Sequence, residues 1–226
     1  MVYVTGDMHG DIERFKDKAI RRLRRNDTLI ITGDFGFIWN GSEEERKILE
    51  WIGKRKFTTL FIEGTHDNLN LLSQYPVQRW NGGDVHVVSG RLMHLMRGQV
   101  YTIEDDRYFA MGGGESSDAD TREPGVTWWP EEMPTMEEVE QARQTLAGLN
   151  FVPDYIISHE CPTSIANCLV MDRRPRINLA VAFFDQMQQL CRYKKWFFGH
   201  YHMDKHIPPH YYALYHQVVP VRGKTR

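Results

Sequence analysis

Three short apolar runs alternate with two amphipathic segments in the first third of the chain, and each run stops at or near a glycine. Val2 to Thr5 stops at Gly6, Thr28 to Thr32 at Gly33, and Phe57 to Ile62 just before Gly64. β-Branched and aromatic runs of this length, closed by glycine, predict strands. Between the first two, Ile12, Phe15, Ala19, Ile20 and Leu23 recur at helical spacing, predicting an amphipathic helix that ends near Arg25. Between the second and third, Ser42 and Glu45 form a capping-box signature ahead of Ile48, Leu49 and Ile52. Strand, helix, strand, helix, strand implies parallel strands with helices packed on their faces, an α/β architecture.

The middle of the chain reads differently. Val85 to Val88, Leu92 to Met96, Val100 to Ile103 and Arg107 to Met111 predict short strands with brief connections, as an antiparallel meander or a second sheet layer. The stretch from Gly112 to Pro134 follows, with three consecutive glycines, Arg122 and the pair Trp128, Trp129. It is far longer than the usual connection of about 4–6 residues, which marks it as a functional loop or lid inserted at 112–134. A capped helix from Thr135 to about Leu149, a strand over Asp154–Ser158, a helix over Asn178–Cys191, a strand over Lys195–Phe198 and a last strand within Tyr211–Val219 complete the reading. No repeat, low-complexity linker or clean boundary divides the chain, so residues 1–226 are expected to form a single domain.

What lies just past each predicted strand carries the chemistry. Asp7, His9, Gly10 and Asp11 follow the first strand, Gly33 and Asp34 the second, and Gly64, Thr65, His66 and Asp67 the third. His159 follows a later strand; Gly199, His200 and His202 follow the next. The carboxyl ends of parallel strands line one crevice, so separate segments would deliver carboxylates and imidazoles to one place. That donor set suits divalent transition metals, and a cluster this rich can hold two ions that share a carboxylate and act on a phosphate ester.

Taken in order, Asp-x-His-Gly, Gly-Asp, Gly-x-His-Asp, a lone His and Gly-His-x-His resemble the calcineurin-like metallophosphoesterases, from Asp7 to His202. The resemblance implies a two-layered β-sheet sandwich flanked by helices. It implies that Asp7, His9, Asp34 and His202 hold one ion, and that Asp34 bridges to a second, also held by His159 and His200. His66 matches the family histidine that protonates the leaving group or steadies the transition state, and Asp67 the acid that orients it. The expected function is a dinuclear metal-dependent phosphoesterase acting on phosphodiesters or phosphomonoesters by metal-activated hydroxide attack, with the diester favoured. Manganese heads the expected metals, ahead of Fe, Zn, Ni or Mg.

Two positions depart from the family pattern. Where the family has Gly-Asn-His, this chain has Thr65, whose shorter hydroxyl makes a weaker ligand and predicts a second site completed by water or by Asn68. The Gly-Asp-x-x-Asp-Arg-Gly of protein Ser/Thr phosphatases is absent, because Gly33 to Trp39 carries neither the second Asp nor the Arg. The chain instead looks similar to bacterial and phage members. Arg122, Arg173, Arg174 and Arg176 are candidates to grip phosphate. Trp128 and Trp129 are read as loop anchors before base-stacking groups. His86, His94, His206, His210 and His216 follow no motif and read as structural or surface residues.

Composition sets the outer bounds. A net charge of -2 gives no global electrostatic case for nucleic acid or membrane binding, although nucleotides and nucleic acids stay among the candidate substrates. Cys161, Cys168 and Cys191 are odd in number and lack CxxC spacing, as expected of reduced thiols. No apolar run is long enough to span a bilayer, and no signal-peptide pattern opens the chain, so a cytoplasmic location is expected. The alternative reading is a metal-free or metal-poor scaffold that keeps the fold.

Overall fold

The computed structural model describes residues 1–170 and 177–223. Arg173, Arg174 and Arg176, named above as candidate phosphate ligands, lie outside the described residues. The elements in chain order are β1 (Val2–Thr5), α1 (Lys18–Arg21), β2 (Thr28–Ile31), α2 (Glu43–Gly53), β3 (Thr58–Phe61), α3 (Leu69–Leu72), β4 (Val77–Trp80), β5 (Gly83–Ser89), β6 (Leu92–Leu95), β7 (Gln99–Ile103) and β8 (Asp106–Met111). They continue as α4 (Met136–Gly148), β9 (Tyr155–Ser158), α5 (Thr163–Leu169), α6 (Leu179–Leu190), β10 (Lys195–Phe198), β11 (Lys205–Ile207), β12 (Tyr211–Ala213) and β13 (Val219–Pro220).

These strands build two sheets, ordered β13-β1-β2-β3-β6-β5-β4 and β11-β12-β10-β9-β8-β7. In the first, β1, β2, β3 and β6 are parallel, with Val4 opposite Ile30 and Ile30 opposite Leu60. In the second, β8, β9, β10 and β12 are parallel. Period-two alternation places Val4, Ile30 and Leu60 between the sheets with Tyr108, Ile157 and Phe197. The intervening Leu29, Ile31 and Phe61 turn outward onto Phe15, Ile20, Leu49 and Ile52. On the far side, Ile156, Trp196 and Phe198 meet Leu146, Phe183, Phe184 and Met187 of α4 and α6. The result is the two-layered sandwich flanked by helices that the motifs implied. Among the described residues no helix is long and apolar enough to cross a membrane.

Several elements differ from the sequence reading. The helix expected to reach Arg25 is a 3-10 turn over Ile12–Lys16 followed by the short α1, because Asp17 between them is extended (φ -55°, ψ 142°). At α2 the expected capping box is half formed: Ser42 Oγ accepts from Glu45 N at 3.2 Å. The Glu45 carboxylate instead accepts from the amides of Trp39, Asn40 and Gly41, tying down the turn that leaves the second motif. The last strand divides into β12 in one sheet and β13 in the other, so the chain's end closes the sandwich.

Residues 112–134 are anchored at Trp129 and Glu132, while most of 117–126 is exposed. Trp129 is buried edge-on against Trp39, ring centroids 5.0 Å apart. The buried Glu132 accepts from Ser116 N and Ser116 Oγ, each at 2.7 Å.

Candidate metal centre

The carboxyl ends of both sets of parallel strands meet at one edge of the sandwich. The turn after β1 is bonded to the turn after β2, with Met8 N and His9 N donating to Asp34 O at 3.0 and 2.8 Å. Arg14, buried below, donates to Asp7 O at 2.8 Å and to Tyr215 O at 2.7 Å, fixing where Asp7 can stand. His9 (φ 48°), Asp34 (φ 43°), His200 (φ 65°) and His202 (φ 48°) all adopt the left-handed region. Non-glycine residues adopt that region at a cost, and Asn81, Glu104, Asp105, Asn150 and Phe151 do so elsewhere in turns, so the backbone accompanies the side-chain grouping and does not by itself mark the site.

Asp7, His9, Asp34 and His202 form one group, their ligand atoms all within 4.8 Å of one another. His9 Nε2 lies 2.8 Å from His202 Nε2 and 3.8 Å from Asp34 Oδ2, and His202 Nε2 lies 3.3 Å from Asp7 Oδ2. Such separations suit the edges of a coordination shell with bonds of roughly 2.0–2.2 Å. A second group shares Asp34: His159 Nε2 is 3.4 Å and Thr65 Oγ1 3.4 Å from Asp34 Oδ1. His200 stands beside His159, ring centroids 5.0 Å apart, and its backbone N–H donates to Asp7.

His159 tests whether these residues fit a cation. It is fully buried, and its Nδ1 faces Thr32 O at 2.9 Å, which places the proton on Nδ1. That leaves Nε2 as a lone pair in the interior with no hydrogen-bond partner, aimed at a carboxylate. A buried acceptor facing another acceptor is unfavourable unless a positive charge joins them. In the metal-free chain a proton takes that part. Burial lowers the His159 pKa, but Asp34 and Asp7 outweigh it and push it up to about 9. Burial likewise opposes ionisation of Asp34, yet His159 and His66 hold it well below the usual carboxylate range. Burial lowers His9 and His200, favouring the neutral ligand form.

With a folded pKa of about 9 against an ordinary 6.5, the His159 pair stabilises the metal-free chain fully below pH 6.5 and loses its effect as pH rises through 9. The melting temperature in EDTA should therefore fall from pH 6.5 to 9. Loading manganese at pH 8 should release protons, read by calorimetry in buffers of different ionisation heat. A flat melting profile and no proton release would contradict the assignment.

Glycines leave room for ligands from other strands. A Cβ on Gly199 would overlap Asp7 Oδ1, and one on Gly64 would overlap Asp34 N and Oδ1. Gly199→Ala should displace Asp7, costing about 1–3 kcal/mol of stability by overpacking. A manganese titration of this variant should show at least about tenfold weaker binding; unchanged binding would mean Asp7 does not need that space.

His66 lies at the mouth of the group. Its ring Nδ1 pairs with Asp34 Oδ2 at 2.9 Å and its backbone N–H donates to Asp34 Oδ1 at 2.7 Å. The expected pairing with Asp67 is not made. Asp67 is buried beneath, where its oxygens accept from Gly36 N and Gly64 N at 2.8 Å and from Phe35 N at 3.2 Å. It clasps the turns after β2 and β3 together. Asn68 is also committed elsewhere, capping α3 through Leu71 N and donating to Trp39 O. The 112–134 loop brings Arg122 onto the site: its guanidinium bonds His66 Nε2, donates to Thr65 O at 3.3 Å and pairs with Asp118 at 2.9 Å.

Sequence reasoning missed a buried network behind the third motif. Glu63 bonds His94 Nε2 at 2.7 Å and the Arg97 guanidinium, and His94 Nδ1 meets His86 Nδ1 at 3.0 Å. Arg97 also reaches Glu138 at 3.1 Å and Glu131 O at 2.8 Å, so it joins the third motif to the base of the loop. In the sequence Glu63 stands one place before Gly64, a signal too local to reveal partners thirty residues away.

The model of the calcineurin-like phosphoesterase family matches residues 1–204. A solved structure of phosphopantetheinyl hydrolase from Mycobacterium tuberculosis also matches, at 14% identity and a TM-score of 0.45, over 95% of this chain and 89% of that one. No curated protein matches. The chain belongs to the calcineurin-like phosphoesterase family, and with it to the metal-dependent phosphoester hydrolases.

Proposed function

We propose that the chain is a phosphodiesterase that works with two divalent cations, manganese first among them. Asp7, His9, Asp34 and His202 would hold one cation; Asp34, His159, His200 and Thr65 would hold the other. The observation that carries this reading is the buried Nε2 of His159, which makes no hydrogen bond and lies 3.4 Å from Asp34 Oδ1, a candidate second cation position beside the Asp7 group. When bound, such cations acidify water for attack on phosphorus and offset charge on the phosphoryl oxygens. Thr65 offers a shorter arm than an amide, so the second cation should bind more weakly than the first.

The chain's own residues supply the rest. Asp34 holds His66 through Nδ1, which turns Nε2 toward the loop. Arginine keeps its protons, so in the free site Arg122 donates and Nε2 accepts. An entering phosphate would take the Arg122 donors, leaving His66 Nε2 free to take a proton from solvent water and pass it to the departing alkoxide. Among the described residues Arg122 is the arginine against His66, and one guanidinium suits the single charge of a diester. Nucleotides and nucleic acids fall within that class.

Hydrolysis of bis-p-nitrophenyl phosphate beside p-nitrophenyl phosphate, with manganese added, tests the reading. The diester should be cut faster. Faster cleavage of the monoester would overturn the substrate class, and no cleavage of either would favour the scaffold alternative.

A further inference from the structure

At the opposite end of the first sheet, cations outnumber their counter-charges. Arg21, Arg22, Arg24 and Arg25 run into β2, and Lys54, Arg55 and Lys56 run into β3, so both clusters sit at the strand starts, away from the metal centre. Arg91 joins them by donating to Lys56 O at 2.6 Å. Among the described residues, of Arg21, Arg22, Arg24, Arg25, Lys54, Arg55 and Lys56, Lys54 alone has a carboxylate within 4.0 Å, in its pair with Glu50. Burial and the neighbouring Arg21 both lower the Arg55 pKa, so these cations repel one another. In a chain of net charge -2 this concentration is local, and it costs stability unless an anion offsets it.

Four of these cations, Arg21, Lys54, Arg55 and Lys56, line a cleft of about 290 Å³ together with Trp51 and Phe57. Trp51 is 38% exposed, and the Arg55 guanidinium lies over its ring, 4.4 Å from the centroid. The guanidinium stacked on the indole, with lysines beside it, combines two kinds of recognition: a flat stacked pair for a base to extend and donors for the phosphates on either side of it. A bilayer would require apolar groups that protrude, whereas Trp51 forms part of a concave wall.

We infer that this cleft binds a segment of single-stranded nucleic acid, with its phosphates on Arg21, Lys54, Arg55 and Lys56 and a base against Trp51. The site needs no metal and stands apart from the residues proposed to do catalysis, so it holds or fails independently of the proposed reaction. Contact with about four phosphates gives a salt slope near −2.8, so affinity should drop roughly fiftyfold between 50 and 200 mM salt.

The test is fluorescence anisotropy of a labelled ten-nucleotide oligothymidylate with the full chain in EDTA, where hydrolysis is off. The wild type should bind at 50 mM salt with that salt dependence. An Arg21→Gln, Lys54→Gln, Lys56→Gln triple variant should bind at least about tenfold more weakly while still cleaving a small phosphate ester with manganese. Trp51→Ala should lose about tenfold for the oligonucleotide and nothing for inorganic polyphosphate of equal charge, with Trp51→Phe retaining most of the affinity. The inference is overturned if the wild type does not bind, if the triple variant binds as the wild type does, or if polyphosphate or anionic lipid vesicles bind as tightly as the oligonucleotide.

Discussion

Asp34→Asn is expected to lower phosphoester hydrolysis at least about a thousandfold, roughly 4 kcal/mol of transition-state stabilisation, while the chain still folds. Asp34 is the carboxylate that faces both groups of donors, 3.8 Å from His9 Nε2 on one side and 3.4 Å from His159 Nε2 on the other. It also accepts from both the backbone and the ring of His66. An amide keeps one acceptor oxygen, loses the charge, and turns N–H donors toward groups that need a carboxylate. The backbone should tolerate the change, since Asp34 sits at φ 43° and asparagine visits that region readily. Rates within tenfold of wild type, with metal bound, would remove Asp34 from the bridging position.

Arg97→Met should produce a large loss of stability. Glu63 is 1% exposed, and burial alone would raise its pKa; Arg97 and His94 outweigh burial and push it down to about 2. Removing Arg97 leaves a buried carboxylate with His94 as its remaining strong partner, a defect of about 3–5 kcal/mol. For a chain of this size that is a melting temperature lower by about 10 °C. The Glu63 contribution is present above pH 4.5 and is lost as pH falls through about 2, so the deficit should persist at neutral pH. Adding Glu63→Gln to Arg97→Met should recover part of the loss, because the unpaired charge is gone. Arg97 also holds Glu131 O and Glu138, so protease nicking within 112–134 should quicken in the single variant. A melting shift below 2 °C would mean the pair is not an energetic hub.

Much of this was legible in the sequence because parallel strands place their chemistry at their ends. Glycine-stopped runs located β1, β2 and β3, and the polar residues past β1 and β2 include Asp7, His9 and Asp34 of the group whose ligand atoms lie together. Less was legible where a side chain's partner lies far along the chain. Asp67 looks like a partner for the neighbouring His66, yet it folds beneath the turns to take three backbone amides. His94 reads as an ordinary strand residue, since alternation does not distinguish packing from pairing with Glu63. Arg14 shares the helical pattern of its exposed neighbours but is buried against Asp7 O and Tyr215 O. The left-handed backbones of His9, Asp34, His200 and His202 are likewise invisible to periodicity, although the glycines beside them hint at tight turns. That residues 112–134 deliver Arg122 to His66 was not readable.

Metal content per chain after manganese loading and gel filtration, in the wild type, His202→Ala and His159→Ala, tests most directly whether strand ends from both sheets form two cation positions sharing Asp34. The expected result is about two ions in the wild type and about one in each variant. About one ion in the wild type, unchanged by His159→Ala, would contradict the account and leave a mononuclear centre on Asp7, His9, Asp34 and His202.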